Sequence, residues 1–250
     1  MSSQQMQAVN ADAGTADANA TTQYADGGPV YYGVPATQVF SVDVECVATG
    51  ITHNDRAIGQ ISLVDQNEYV RLNLYVKQDR PVTSYLTELT GLTRKVIETY
   101  GISLEEALAQ LRQELPKDAV LVGWGIMQDV KWLGLKEGQD FKSMMDLQGL
   151  YRVWNPQYGS YTLFSQDHAA QHLLGWPGNQ AHDAVGDAVK SIRLYNCYKY
   201  FESNPDEWEA AQAVLLQREP HPSFAKQHPT YEGVCMGNRK TCKCGAPFFT

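Results

Sequence analysis

Two acidic residues, Asp43 and Glu45, lie within an otherwise largely apolar stretch of the chain, residues 39–47. Valines surround them at positions 42, 44 and 47, a pattern that predicts a buried β-strand. Because residues i and i+2 of a strand point to the same face, both carboxylates are expected on one side. Buried charges are costly unless they are paired or bind a metal, and carboxylate oxygens suit Mg²⁺ or Mn²⁺. The stretch therefore predicts a cation site; the alternative is an exposed sheet face with two solvated acids.

The composition is that of a globular protein. Of 250 residues, 43% are hydrophobic and 19% are charged. The sequence has no apolar run of the roughly 18 residues that a membrane helix needs, and its start lacks the basic and apolar regions of a secretion signal. The five cysteines then indicate reduced thiols rather than a disulfide framework. We therefore expect an intracellular protein, nuclear or cytoplasmic, without a membrane partner.

The net charge of −8 is unevenly distributed along the chain. Residues 1–37 carry three acidic and no basic side chains, whereas residues 216–250 carry five basic and two acidic ones. Bound cations offset the charge of an acidic core, and the basic C-terminal segment offers contacts to phosphates. The alternative interpretation of this segment is ordinary solvated surface charge.

The hydrophobic pattern divides the chain into three segments. Residues 1–37 are rich in small and polar residues without a hydrophobic period, so we expect a disordered leader. Residues 38–203 hold the periodic segments of one domain. Residues 204–250 are predicted to form a helix followed by a Cys- and His-rich, zinc-binding tail.

Within residues 38–203, strands come first and then alternate with helices. A capping box at Ser103 and Glu106 predicts a helix that Pro116 ends. Strands are predicted at 38–48, 57–65, 68–77 and 118–124, and residues 141–146 fit either a strand or a turn. Further helices are predicted at 126–133, 146–152, 163–174, 184–200 and 206–217. This order predicts an α/β fold whose mixed sheet, with three antiparallel strands first, is flanked by helices.

Three further residues complete a set with the chemistry of a metal-dependent hydrolase. Asp129 begins a predicted helix directly after the strand at 118–124, and Asp187 lies about one turn into another predicted helix. Asp183 is the candidate N-cap of that second helix, which places His182 on the loop before it. A loop imidazole beside carboxylates is suited to act as a general base near neutral pH. Each residue alone also has a common structural explanation, such as interaction with the helix dipole for Asp129.

Three motifs, in this order, resemble those of the DEDDh exonucleases, the DnaQ-like 3′→5′ group of the ribonuclease H-like superfamily. They are residues 41–50 (SVDVECVATG), residues 75–77 with 81–83 and 90–93, and residues 182–188 (HDAVGDA). Over about residues 38–202, the chain is most similar to the Rex-type RNA exonucleases. The resemblance implies a ribonuclease H-like sheet in which four carboxylates hold two Mg²⁺ or Mn²⁺ ions and His182 is the base. Those carboxylates are Asp43, Glu45, Asp129 and Asp187.

The resemblance also implies hydrolysis of single-stranded RNA from its 3′ end to nucleoside 5′-monophosphates. Cys46, Val47 and Ala48 are similar to the place where family members contact the terminal base, and Trp124 is a candidate for base stacking. The chain departs from the family pattern at Trp124 and Gln128, in the segment that carries Asp129, where His and Asn respectively are common, and at Gly186, where an acid is frequent. None of these departures removes a metal ligand, so they affect the expected fit of the substrate.

Two other functions remain open from the sequence. One is a DNA exonuclease on the same fold, since the preference for RNA depends on the resemblance alone. The other is a nucleic-acid-binding or protein-binding module without catalysis. The presence of suitable residues at all five catalytic positions favours an enzyme over this module, and protein partners stay undetermined.

Three of the five cysteines, Cys235, Cys242 and Cys244, lie within ten residues of the tail. In a chain without an export signal, such clustering predicts a structural zinc site. Three thiolates need a fourth ligand, for which His228 is the first candidate and His221 the second. The alternative is a set of unpaired thiols on a flexible tail.

Overall fold

The computed structural model describes residues 38–178 and 181–248, together with two two-residue strands near the start of the chain. The chain divides into two compact units, Met1–Ala36 and Thr37–Thr250. In the first unit, Tyr24–Ala25 pairs antiparallel with Gly28–Pro29. The predicted disorder of residues 1–37 otherwise concerns positions outside the described residues.

A five-stranded mixed sheet forms the centre of the second unit. Its strands are β1 (Val39–Ala48), β2 (Arg56–Asp65), β3 (Val70–Tyr75), β4 (Val120–Gly123) and β5 (Ser143–Asp146). The spatial order is β3-β2-β1-β4-β5. The first three strands pair antiparallel, and β4 and β5 extend the sheet in parallel. The predicted sheet is therefore confirmed, and the ambiguous segment at 141–146 contributes a strand.

The helices and two small hairpins surround this sheet. The helices are α1 (Thr87–Thr90), α2 (Arg94–Tyr100), α3 (Leu104–Glu114), α4 (Met127–Trp132), α5 (Leu147–Leu150), α6 (Gln166–Leu174), α7 (Ala184–Glu202), α8 (Pro205–Gln217) and α9 (Phe224–Gln227). The hairpins pair β6 (Val153–Asn155) with β7 (Ser160–Thr162), and β8 (Thr230–Tyr231) with β9 (Val234–Cys235). The predicted N-cap at Ser103 is confirmed, because its hydroxyl accepts the backbone N–H of Glu106 at 3.1 Å. In the part of the chain described, no helix combines the length and apolar character of a membrane span.

Successive side chains of β1 point to opposite faces of the sheet, and each face belongs to a different apolar cluster. Phe40 and Val42 of β1 pack with residues of α3 and α4 on one face. Val39 packs with residues of α5, α6 and α7 on the other face. Asp43 and Glu45 lie on the same side of β1 as Val39, because residues an even number of positions apart in a strand face the same way. Their carboxylates therefore point toward the start of α7.

Candidate active site

The five predicted residues converge beside the middle of β1. Asp43 and Glu45 come from β1, Asp129 from the first turn of α4, and Asp187 from the first turn of α7. Asp43 interacts electrostatically with Asp129, Asp187 and Glu45. Ligand atoms of Glu45, His182 and Asp187 all lie within 4.8 Å of one another. Residues far apart in the sequence therefore share one cleft.

The start of α7 is fixed to the sheet by polar residues of β2. Asp183 is the N-cap and accepts the backbone N–H of Gly186 at 3.0 Å. The amide of Gln60 donates to Asp183 at 3.0 Å and accepts the backbone N–H of Ala184 at 3.3 Å. The Ser62 hydroxyl donates to the carbonyl of Ala184 at 2.5 Å. Gln60 and Ser62 were not predicted, because their partners lie more than a hundred residues away in the sequence.

Three of the carboxyl groups lie in surroundings that raise their pKa and so favour the protonated form. Burial, with the nearby charges of Asp129 and Asp187, raises the pKa of Asp43 well above its usual value. Burial and the charge of Asp187 raise the pKa of Glu45 to about 8. Burial also raises the pKa of Asp129 to about 7, against the opposing effect of a hydrogen bond from the backbone of Val44. Bound cations in place of these protons would relieve the same repulsion.

Asp187 differs from the other three carboxylates because it has two basic partners. His182 Nδ1 lies 2.7 Å from its Oδ2, and Lys190 Nζ lies 2.5 Å from its Oδ1. Burial alone would raise the pKa of Asp187, but the hydrogen bond from His182 and the charge of Lys190 lower it. The hydrogen bond to Asp187 in turn raises the pKa of His182. The second ring nitrogen of His182, Nε2, lies 3.5 Å from Asp167.

The donor atoms of this cleft are those of a site for hard divalent cations. All four carboxylates come from a strand or from first turns of helices, so their positions are set by the fold. Oxygen ligands of this kind suit Mg²⁺ and Mn²⁺ rather than zinc. A cavity of about 90 Å³ lies beside them, and its lining includes Asp167, Asp187 and Lys190. Lys190 was missed from the sequence, although its i+3 spacing from Asp187 places the two on one helix face.

A family model for exonucleases, RNase_T, matches residues 40–195 of the chain. The chain belongs to this exonuclease family. The matched segment includes all five residues that converge in the cleft, and the resemblance predicted from the three motifs is thereby confirmed.

Two relatives illustrate the similarity in sequence. The Small RNA degrading nuclease 3 of Arabidopsis thaliana is 31% identical over 166 residues, which are 64% of this chain and 20% of the relative. The human RNA exonuclease 5 (Homo sapiens) is 32% identical over 157 residues, which are 62% of this chain and 19% of the relative. The exonuclease chain therefore spans about one fifth of the length of these relatives.

Solved structures of Pan2 share the fold of the exonuclease domain. The Neurospora crassa Pan2 catalytic unit, with protease and nuclease domains, gives a TM-score of 0.61 at 19% identity, over 77% of this chain and 32% of that chain. The Saccharomyces cerevisiae Pan2 exonuclease module in complex with AAUUAA RNA gives 0.61 at 16% identity, over 78% and 35%. At these identities the likeness concerns the fold, and it confirms the predicted ribonuclease H-like architecture.

Two of the predicted substrate contacts of the exonuclease have fully buried side chains. Val47 and Ala48 are both 0% exposed, so their side chains present no surface to a nucleotide. Val47 packs with Leu92 and Ile97, and Ala48 packs with Leu86 and Val234. The segments that cover this end of β1 come from residues 86–97 and from the C-terminal tail, so contact of Val47 and Ala48 with the substrate stays a prediction for their backbone atoms.

The other two predicted contacts, Cys46 and Trp124, are less buried than Val47 and Ala48. Cys46 is half-buried and remains a predicted substrate contact. Trp124 is half-buried as well, but its indole N–H donates to the carbonyl of Phe164 at 3.1 Å. Its ring stacks on Tyr151 with the centroids 5.6 Å apart. Trp124 therefore has a packing role, and its contact with a base stays a prediction.

The cysteines of the tail form a cluster with a histidine, but with a different one from that predicted. His53 lies with Cys235, Cys242 and Cys244, and their ligand atoms are within 4.8 Å of one another. The predicted fourth ligand, His228, instead contacts the rings of Phe224 and Tyr231 at centroid distances of 4.6 and 6.1 Å. His221, the second candidate, is an exposed residue between α8 and α9. The fold supplies a histidine from the β1–β2 loop, which no local spacing in the tail could indicate.

Proposed function

We propose that the chain is a 3′→5′ exoribonuclease that hydrolyses single-stranded RNA to nucleoside 5′-monophosphates. The observation that carries this proposal is the convergence of Asp43, Glu45, Asp129 and Asp187 beside His182. Membership of the exonuclease family and relatives named as RNA exonucleases support it. The preference for RNA over DNA is inferred from those names and from the shared fold with RNA-bound Pan2.

The cofactors of this activity are two divalent cations, Mg²⁺ or Mn²⁺. The four carboxylates would hold them, since buried acids with raised pKa values need a positive counter-charge once they ionise. When bound, the cations acidify the attacking water and stabilise the charge that develops on the leaving 3′-oxygen. Asp43 and Glu45 on β1 fix the floor of the site, and Asp129 and Asp187 close it from α4 and α7.

His182 is the general base in this proposal. Its Nδ1 bond to Asp187, at 2.7 Å, orients the ring and raises the pKa of His182, which makes the imidazole a stronger proton acceptor. The side chain is 35% exposed and lies on the loop before α7, so the ring is accessible to a substrate. The backbone of this loop is held in turn by the hydrogen bond from His182 N–H to the carbonyl of Leu89, at 2.6 Å.

The remaining parts of the chain are assigned around this activity. Residues 38–203 form the exonuclease domain, and residues 204–250 form its C-terminal extension. The extension binds one structural zinc ion through Cys235, Cys242, Cys244 and a histidine. Cys46, at the end of the metal-binding strand, contacts the terminal nucleotide.

The activity is tested with the purified full chain and single-stranded RNA labelled at its 5′ end. Cleavage from the 3′ end gives a ladder of shortening labelled products with Mg²⁺ or Mn²⁺ and none with EDTA. Labelled mononucleotide released at the outset would indicate the opposite polarity and contradict the proposal. An Asp43→Asn variant is the matched control, because it keeps the volume of the side chain but lacks the charge, and we expect it to be inactive.

Two further arms of this experiment separate the alternatives. Single-stranded DNA of the same sequence shows whether the sugar matters, and equal degradation of both would contradict a specific exoribonuclease. Retention of RNA without cleavage under all metal conditions would instead support a binding module on the same fold.

A further inference from the structure

Four metal-binding side chains from two distant segments meet at a place outside the active site. His53 lies in the loop between β1 and β2, and the three cysteines lie in the C-terminal tail. His53 Nδ1 is 3.8, 3.6 and 3.2 Å from the sulfurs of Cys235, Cys242 and Cys244. Cys242 Sγ is 3.3 Å from the sulfur of Cys235 and 3.5 Å from that of Cys244. Tetrahedral zinc separates sulfur and nitrogen ligands by about 3.5–3.8 Å, so this spacing matches one ion.

The groups around the cluster orient its ligands for a metal. His53 Nε2 lies 3.3 Å from the carbonyl of Pro247, which makes Nε2 the protonated nitrogen and leaves the Nδ1 lone pair facing the sulfurs. The ring of His53 also stacks on Phe248 with the centroids 4.3 Å apart. The backbone N–H of Gly237 donates to Cys235 Sγ at 3.4 Å. Such outer contacts are typical of histidine and cysteine ligands in zinc sites.

The tail that these cysteines anchor packs against the segment before and within α1. Val234, which is 0% exposed, forms an apolar cluster with Ala48 and Leu86. Glu232 accepts a hydrogen bond from the Ser84 hydroxyl. That hydroxyl accepts the backbone N–H of Leu86 at 3.0 Å. The tail thus packs against the side chain of Leu86 and is linked to the backbone N–H of Leu86 through the Ser84 hydroxyl.

Leu86 needs this support because its backbone conformation is unfavourable. It is a buried residue with a φ of +53°, in the left-handed region that non-glycine residues rarely adopt. It is also the N-cap of α1, and Leu89, three residues later, accepts the backbone N–H of His182 at 2.6 Å. Leu89 itself packs against the cluster that includes Val234. A continuous series of contacts therefore runs from the cysteine cluster to the loop that carries the general base.

We propose that His53, Cys235, Cys242 and Cys244 bind one zinc ion that fixes the tail against the Ser84–Leu89 segment and so positions His182. The metal site stands independently of the nuclease activity. The positioning of His182 rests on the proposed function, and the four ligands are positioning residues that do not touch the RNA.

The first experiment measures zinc in the purified full chain by mass spectrometry of the metal. We expect about one zinc per chain in the wild type and a loss of most of the zinc in His53→Ala and Cys244→Ser, since a structural zinc site uses four protein ligands and each variant leaves three. His228→Ala and Cys197→Ser are the controls, because each removes a metal-binding residue type outside the cluster, and both should keep the zinc. Zinc-free wild type, or zinc loss in His228→Ala but not in His53→Ala, would overturn the site.

The second experiment follows the contacts to His182 without relying on activity. Hydrogen exchange is measured on the wild type with zinc and after its removal by phenanthroline, at constant Mg²⁺. We expect faster exchange in residues 84–91 and at His182, while β2 and β4 keep their protection. Unchanged exchange at these positions would refute the link between the zinc and the catalytic loop, whether or not the chain cleaves RNA.

The third experiment asks whether the link affects catalysis. In His53→Ala, kcat should fall on the order of 10-fold to 10²-fold, as expected for a misplaced catalytic group. The Mg²⁺ concentration for half-maximal rate should stay the same, because the four carboxylates lie on β1, α4 and α7, which the two apolar clusters on either side of the central sheet hold in place. Wild-type kcat in the zinc-free variant would contradict the positioning role. A general loss of structure would instead change both kcat and the Mg²⁺ requirement and would speed hydrogen exchange in β2. That outcome would also contradict the positioning role.

Discussion

Lys190 Nζ lies 2.5 Å from Oδ1 of Asp187, one turn earlier in the same helix. The Lys190 side chain is only 7% exposed, and its ammonium also contacts Asp167 at 2.7 Å. It provides one buried positive charge in a cleft that contains four carboxylates. This contact helps to explain why the pKa of Asp187 is lowered, against the effect of its burial, while the pKa values of the other three acids are raised.

Replacement of Lys190 by methionine should destabilise the metal-free protein. Removal of one partner of a buried ion pair leaves the other charge uncompensated, at a cost of about 3 kcal/mol. Mg²⁺ should recover most of this loss, because a cation bound by Asp187 replaces the missing charge. The measurement is thermal unfolding of wild type and Lys190→Met in EDTA and in Mg²⁺.

Lys199→Met, in the same helix, is the matched control for this prediction. Lys199 is 51% exposed and pairs with Glu202 on the surface, so its loss should destabilise the protein much less than the loss of Lys190. An equal loss of stability in both variants, or no extra gain from Mg²⁺ in Lys190→Met, would show that Lys190 does not neutralise the site.

Replacement of His182 by alanine should slow cleavage without weakening cation binding. A positioned general base contributes on the order of 10²-fold or more to the rate, whereas the four carboxylates proposed to hold the cations remain. We expect kcat to fall by about that factor, with the same Mg²⁺ dependence as the wild type. If the rate is unchanged, another group accepts the proton; if the Mg²⁺ requirement rises strongly, His182 supports the cation site instead.

In EDTA, the stability of the protein should decrease as the pH rises from 5 to 8. Folding raises the pKa of Glu45 from 4.5 to about 8 and that of Asp129 from 3.8 to about 7. The folded state therefore binds more protons than the unfolded state over this range, and stability is lost as these groups ionise. Asp187 does not oppose this trend, because its pKa is lowered from 3.8 and its titration lies below the range.

The measurement for this pH dependence is the melting temperature at several pH values with EDTA or Mg²⁺. Mg²⁺ should raise the melting temperature more at pH 8 than at pH 5, because the ligands must be ionised to bind it. Glu45→Gln should reduce the slope in EDTA, since it removes one of the titrating groups. A melting temperature that increases with pH in EDTA for the wild type would be incompatible with these shifts.

The features that could be predicted from the sequence are those that depend on neighbouring residues. The alternation of side chains along a strand predicted that Asp43 and Glu45 point to the same face of the sheet. A local capping pattern predicted the start of α3 at Ser103. The resemblance to the DEDDh exonucleases then identified the members of the cleft, including Asp129, whose own environment in the sequence is unremarkable for a first-turn acid.

The features that were missed depend on contacts between distant segments. His53 was overlooked because it is separated from the tail cysteines by 182 to 191 residues in sequence number. The burial of the Val47 and Ala48 side chains was not predicted, because nothing near them in the sequence shows that residues 86–97 and Val234 cover them. The short helix α1 has no side-chain N-cap and begins at a left-handed leucine, so its sequence carried no start signal.

Gly91 offers a test of how closely the loop that carries His182 is packed against α1. It ends α1 with a φ of +68°, and a Cβ added there would lie 3.3 Å from the carbonyl oxygen of His182. Gly91→Ala should therefore displace the loop and lower kcat on the order of 10-fold, besides losing about 1 kcal/mol of stability from the left-handed alanine. Gly138→Ala is the control, because Gly138 has a φ of +77° but no atom within 4 Å of the added Cβ, so only stability should fall. Equal kcat values for the two variants, measured with the labelled RNA, would mean that the loop tolerates the displacement and that α1 does not set the position of His182.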